Sequence, residues 1–408
     1  MSGGAVVTGL GIVAPNGFGA ADYWEATLHG RSGIGPLTRF EAGGYPAQLA
    51  GEVPDFEPAD HLPRRLIPQT DHMTRLALVA AEWALADAGA DPAQMPEYAA
   101  GVTTASASGG FEFGQRELEK LWSRGPEHVS AYQSFAWFYA VNTGQISIRH
   151  GMKGPSGVLV TEQAGGLDAV AQARRHVRDG TGVVVTGGVD ASLCPWGWTA
   201  QIASGGLSGR RDPDRAYLPF DADACGYVPG EGGAILTVED PRSAARRGGC
   251  RAYGEIAGYG ATFDPPPWSD REPGLRRAIE TALADAGAGP DEVDAVFADA
   301  AGLPEADRRE AEAVDAVFGG RTRPVPVTAP KTMTGRLYSG GAALDTATAL
   351  LAMAEDVVPP TVNVTDPAPY CDLDLVIGEP RNTSLHTCLV LARGYGGFNS
   401  ALVLRRAE

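Results

Sequence analysis

Apolar residues return at helical spacing in two segments far apart in the chain. Thr74–Ala88 carries Leu76, Leu78, Val79, Trp83 and Leu85, and Leu275–Ala286 carries Ile279 and Leu283. Both segments run into the same heptapeptide, ALADAGA, at Ala84–Ala90 and again at Ala282–Ala288. Gly89 and Gly287 stand where a left-handed residue would end each helix. A glycine-rich strand precedes each helix (Ala5–Val13, Arg251–Gly260), and a short apolar strand follows it (Ala99–Thr104, Val293–Phe297). One repeated heptapeptide is a weak signal, but four elements in matched order predict two homologous α/β halves. We place them at 1–240 and 241–408, joined by the segment Pro241–Gly249. Between the repeats, Gly157–Thr161 reads as a strand leading into a helix over Gly166–Arg178, and Val183–Gly188 as a further strand. Thr387–Ala392 and Ser400–Leu404 read as a hairpin across Gly394, Gly396 and Gly397, and Gly205–Asp223 as a polar loop. Strands alternating with helices predict sheets covered by helices on their faces.

Composition narrows the function classes. The 408 residues hold 33 Lys plus Arg against 50 Asp plus Glu, a formal charge of −17. Such a surface argues against nucleic-acid or anionic-membrane partners. No apolar run approaches the ~20 residues that span a bilayer, and the start of the chain has no charged leader, so a cytoplasmic protein is expected. Five Cys and seven His are dispersed without metal-ligand spacing, so we expect neither a disulfide framework nor a metal. Cys194 reads as a core thiol. The basic helix end Arg174–Gly180 reads as a solvated face, with docking of an acidic partner as its second reading.

The stretch LVTEQAGGLDAV, Leu159–Val170, joins a buried strand to a helix start. Backbone N–H groups at such a junction favour developing negative charge, and enzymes place nucleophiles there. Gln163 occupies the position. An amide donates and accepts hydrogen bonds but is no nucleophile here. On its own residues the junction also fits an ordinary strand–helix turn.

Four motifs in order give the chain a family likeness. It resembles the β-ketoacyl synthases of the thiolase superfamily through VVTGLGIVAPNG (Val6–Gly17), PFDADACGYVPGEGGAILTVED (Pro219–Asp240), PKTMTGRLYSGGAALD (Pro330–Asp345) and GYGGFNSALVL (Gly394–Leu404). The resemblance implies an α/β fold, a thiolase-like five-layer α-β-α-β-α sandwich from two homologous halves. Condensing members hold the growing acyl chain on a Cys at the turn and use two His. Here the turn carries Gln163, the first His position falls on Asp299 in FADAAGLPEAD, and the second falls on Arg336, while the family Lys is kept as Lys331. An Arg is no general base, and an ionised Asp only accepts hydrogen bonds, so a chain with this set is expected not to condense alone.

The substitutions, with TEQAGGLDA around Gln163, SFAWFYAVNTGQISIRHGM (Ser134–Met152) and DPDRAYLPFD (Asp212–Asp221), are similar to the chain length factors of type II aromatic polyketide synthases. That likeness implies a heterodimer with a complete ketosynthase α subunit, acting together as an acyltransferase. Substrate would arrive on the 4′-phosphopantetheine arm of an acyl carrier protein, with no cofactor bound to the chain itself. It also implies a tunnel gate on the helix FEFGQRELEKLW, where Phe111, Gly114 and Leu118 share one face. Small residues there predict a longer tunnel and a product of about ten or more ketide units. The competing reading is that Gly114 merely lets two elements approach. For Gln163, assistance to malonyl decarboxylation and mere filling of a vestigial pocket both stand open; for Lys331 the family role and a plain buried ion pair with Glu310 both stand open. The two rival functions are a Gln-type decarboxylase supplying starter units and a purely structural partner.

Overall fold

The structure is a computed structural model that describes residues 4–247, 251–266 and 268–407. Cys250 and the last two residues of the Pro241–Gly249 segment lie outside the described residues. The described part of that segment forms a helix, Pro241–Arg247.

The first half builds β1 (Val6–Ala14), α1 (His72–Asp87), β2 (Ala100–Ala105), α2 (Phe111–Arg124), α3 (Val141–His150), β3 (Ser156–Leu159), α4 (Gly165–Arg178), β4 (Val183–Asp190), α5 (Pro195–Ala203) and β5 (Gly232–Glu239). The second builds β6 (Gly254–Phe263), α6 (Leu275–Ala286), β7 (Ala295–Phe297), α7 (Pro304–Phe318), β8 (Pro326–Thr328), α8 (Ser339–Glu355), β9 (Thr387–Gly394) and β10 (Phe398–Arg405). Strand order in the first half is β3-β2-β4-β5-β1, and in the second β8-β7-β9-β10-β6. In each, the second strand of that order runs parallel to both neighbours and the remaining pairs are antiparallel. The halves therefore repeat one topology, as ALADAGA predicted. They join edge to edge where Val6 and Val7 of β1 pair antiparallel with Glu255 and Gly254 of β6.

Two helices fill the middle. α4 packs on β2 and β4 of one half and on β6 and β10 of the other, while α8 packs on β4, β5 and β9. Ala, Gly, Thr and Leu dominate α8, and nearly every side chain is buried. A helix without a polar face belongs inside, and this one forms the central layer with α4. α1 and α3 cover the outer face of the first sheet, and α6, backed by α7, covers that of the second. The result is the expected α-β-α-β-α stack.

Three sequence expectations change. The strand expected at Gly157–Thr161 spans Ser156–Leu159. Gly205–Asp223 is more than a polar loop: Asp212 caps a helical turn at Pro213–Ala216, and Tyr217, Leu218 and Phe220 are fully buried. Phe220 packs among residues of α6 and α7, so this segment pins the first half to the second. Arg174 is not part of a solvated basic face. It is buried in α4 and ion-paired with Asp285 of α6, while Arg175 and Arg178 of the same helix end stay exposed, because only the face carrying Arg174 turns toward the second half.

Candidate functional site

After β3 the chain turns through a short 3-10 segment, Glu162–Ala164, into α4. Glu162 takes φ +52°, a left-handed conformation rare for a residue with a side chain. Neighbours hold it there. Its carboxylate accepts from the Tyr395 N–H at 2.9 Å, and its carbonyl accepts from the Ser339 hydroxyl at 2.9 Å. Burial raises the Glu162 carboxyl above its ordinary range, against the pull of Arg336. Gln163 comes next and is 1% exposed. Neither its amide oxygen nor its amide nitrogen has a hydrogen-bond partner. It lies against Gly341 of α8, where an added Cβ would sit 2.5 Å from the Gln163 Nε2.

Asp299 follows β7 and Arg336 precedes α8, and the structure joins them. The guanidinium grips the carboxylate with two bonds of 3.1 Å each, and also donates to the Asp299 carbonyl at 2.9 Å and the Arg393 carbonyl at 3.3 Å. It stands 5.6 Å over the Tyr227 ring. Burial works to raise the Asp299 pKa, but Arg336 and Lys331 prevail and hold it below the usual carboxylate range. The Asp299 and Ala300 N–H groups donate to Glu310 at 2.7 and 2.8 Å. Glu310 itself is raised, by burial and by the Asp299 charge.

The alternative reading of Lys331, an ion pair with Glu310, gives way to another partner. Its ammonium lies 2.7 Å from Asp345 of α8 and donates to the Ala298 carbonyl at 2.6 Å. Two main-chain N–H groups already occupy Glu310, whereas Asp345 is a buried carboxylate on a helix that offers it little else. Asp307, at the start of α7, accepts from Phe220 and Gly302 N–H at 3.0 Å each. Burial pushes its pKa up to about 7, with help from Glu310.

A cleft of about 230 Å³ opens beside this cluster. Glu162, Tyr227, Asp299, Arg336, Arg393 and Tyr395 are on its walls; Gln163 and Lys331 are not. Among the described residues no Cys or His lines it. Cys194 is buried elsewhere, and burial pushes its thiol up to about 11. Among the described residues no three His, Cys, Asp or Glu side chains gather as a metal site requires. At the centre of the cluster the Asp299 carboxylate and the Arg336 guanidinium neutralise each other, and among the described residues no thiol and no imidazole joins them.

The three expected gate residues lie on a different element, α2. Phe111 stacks on Trp196 of α5, with ring centroids 4.7 Å apart and planes 12° apart. Gly114 is buried, and a Cβ placed there would meet Trp196 Cζ3 at 3.2 Å and Trp137 Cβ at 3.4 Å. Leu118 is half-buried. The room that Gly114 leaves is therefore taken by two tryptophans. Sequence reasoning passed over Trp137, Trp196, Tyr227, Asp345 and Arg393. Trp196 stands in SLCPWGW, which drew attention only for its Cys, and Arg393 directly precedes the GYGG turn.

Known proteins resolve the family. The β-ketoacyl synthase N-terminal domain family matches residues 5–243, and the β-ketoacyl synthase C-terminal domain family matches residues 253–365. The chain is 62% identical to the actinorhodin polyketide putative β-ketoacyl synthase 2 of Streptomyces coelicolor, over 98% of each chain. It is 63% identical to the tetracenomycin polyketide synthase ketoacyl synthase β subunit of Streptomyces glaucescens, again over 98% of each. Among solved structures, the ishigamide ketosynthase/chain length factor superposes with a TM-score of 0.90 at 28% identity, over the whole of both chains. In keeping with its repeated halves and central helix pair, the chain belongs to the β-ketoacyl synthase family, among the ketosynthase β subunits, or chain length factors, of type II polyketide synthases.

Proposed function

We propose that this chain is the non-condensing subunit of a type II ketosynthase heterodimer and shapes the tunnel that sets poly-β-ketone length. Its partner is a catalytically complete ketosynthase α subunit, and the substrate reaches the pair on the 4′-phosphopantetheine arm of an acyl carrier protein. One observation carries the reading. The positions of the two catalytic His hold Asp299 and Arg336, which are buried and consumed by each other. A general base must be free to take a proton, and neither group is. The nucleophile position holds an amide that faces α8 rather than the cleft. Exposed Trp137, Phe138, Tyr139 and Trp196 form an aromatic surface of the kind that marks a partner interface.

The gate residues keep their proposed role in setting a product of about ten or more ketide units, since they share one face of α2 beside that surface. Co-expressing the chain with its ketosynthase and a minimal carrier system, then weighing the products, tests the reading. Gly114→Thr with Leu118→Phe is expected to move the dominant product to shorter chains, because Thr at 114 must displace Trp196 or protrude. Unchanged products would end the gate assignment and leave a scaffold role.

A further inference from the structure

The gate helix cannot cap itself. The first N–H groups of a helix have no partner within it, and the residue before the helix ordinarily supplies a side-chain oxygen to them. Before α2 that residue is Gly110, which has none. It must be glycine, because a Cβ there would lie 2.2 Å from the Ala136 carbonyl and 2.9 Å from the Asp71 Cβ. The missing acceptor comes from elsewhere in the chain. Asp71 is fully buried and caps α1, accepting from Met73 N–H at 2.8 Å through one carboxylate oxygen. Its other oxygen accepts from Phe113 N–H at 2.7 Å. Phe113 is the third residue of α2, where a capping side chain normally bonds. One carboxylate therefore caps two helices, and the second carries Phe111 and Gly114 on either side of the bonded Phe113.

We propose that Asp71 is a positioning residue for chain length: by capping α2 from α1 it sets where Phe111 and Gly114 stand against Trp196 and Trp137. The inference rests on the reading of α2 as the gate. Asp71 touches no substrate. Its neighbours suit the task, for Glu112 on α2 and His72 on α1 flank it, and Trp196 N–H is held by Gln115 one turn further along α2 at 2.8 Å.

Two variants separate the caps. Asp71→Ser keeps a good cap for α1 but is too short to reach Phe113, and Asp71→Asn keeps the shape while turning an N–H₂ toward one of the two donors. In the co-expressed pair both are expected to raise the ratio of off-length to dominant product about fivefold, the scale of one lost cap, with total polyketide little changed. Gly114→Thr with Leu118→Phe runs alongside. If that control shifts product length and both Asp71 variants leave it unchanged, the positioning role is overturned. If the control shifts nothing, the gate reading falls and this inference with it. In the unsubstituted pair the Phe113 amide should exchange hydrogen more slowly than the Glu112 amide beside it. Equal exchange overturns the proposal even if neither variant assembles.

Discussion

At the Asp299–Arg336 pair each charge is met by its partner, and the cluster around it closes on itself through Glu310, Lys331 and Asp345. On the far side of the first half, the gate face of α2 borders rings that reach solvent: Trp137 and Trp196 are about two-fifths exposed. The first region, which the proposed function places at the family's active centre, has the bonding of a structural core. The second has neither nucleophile nor base, yet keeps apolar surface uncovered in the isolated chain, which water disfavours and a partner would relieve. On the proposed reading, charges are closed off in the first region, and apolar shape is left open for a partner in the second.

The contrast breaks most directly at the ion pair. Arg336→Met leaves Asp299 as a lone buried carboxylate and should cost about 3–5 kcal/mol, whereas adding Asp299→Leu should recover most of that loss. Thermal unfolding of the single and double variants decides it; a neutral single variant would show the cluster to be no core at all.

The pH response sharpens the same point. Asp307 ionises near 3.8 in an unfolded chain and near 7 when folded, so the folded chain holds its proton between those values. A group that binds its proton more tightly when folded makes stability fall as pH rises through that window. Melting temperature should decline between pH 5 and 8, less steeply in Asp307→Asn. Equal slopes would mean that Asp307 is not buried as placed.

The smallest effect concerns Gln163. A buried amide with no partner costs stability, and Gln163→Met keeps the length while removing both polar atoms. A gain of about 1–2 kcal/mol is expected. Malonyl-carrier decarboxylation by the same variant pair should be unchanged; a lost rate would give the amide the catalytic task and draw the turn back toward chemistry.

Much of this architecture is legible in residue order. ALADAGA marks the repeat because the same helix ends the same way in both halves, and the Gln163 turn is visible because strand and helix signals meet there. Pairings across long separations are not. Asp299 and Arg336 each read, by resemblance, as standing at a His position, yet nothing in one dimension says that they bind each other. Glu310 stood as a possible partner of Lys331 because the two main-chain donors that occupy it are invisible in a list of side chains, while Asp345 lies on the next helix with no spacing to mark it. Likewise Gly114 reads as added space until Trp196, on another helix, is seen to fill it.

The two-pronged grip of Arg336 on Asp299 also has an evolutionary consequence. Restoring either His singly strands the opposite charge in the interior, and restoring Cys at 163 leaves both in place. On the proposed reading, a return to condensation therefore requires both members of the pair to change together, since either replacement alone leaves a buried charge unpaired. If the proposed function holds, the pair would act as a ratchet, because losing either partner alone costs stability and leaves the shape of the tunnel as the part free to vary.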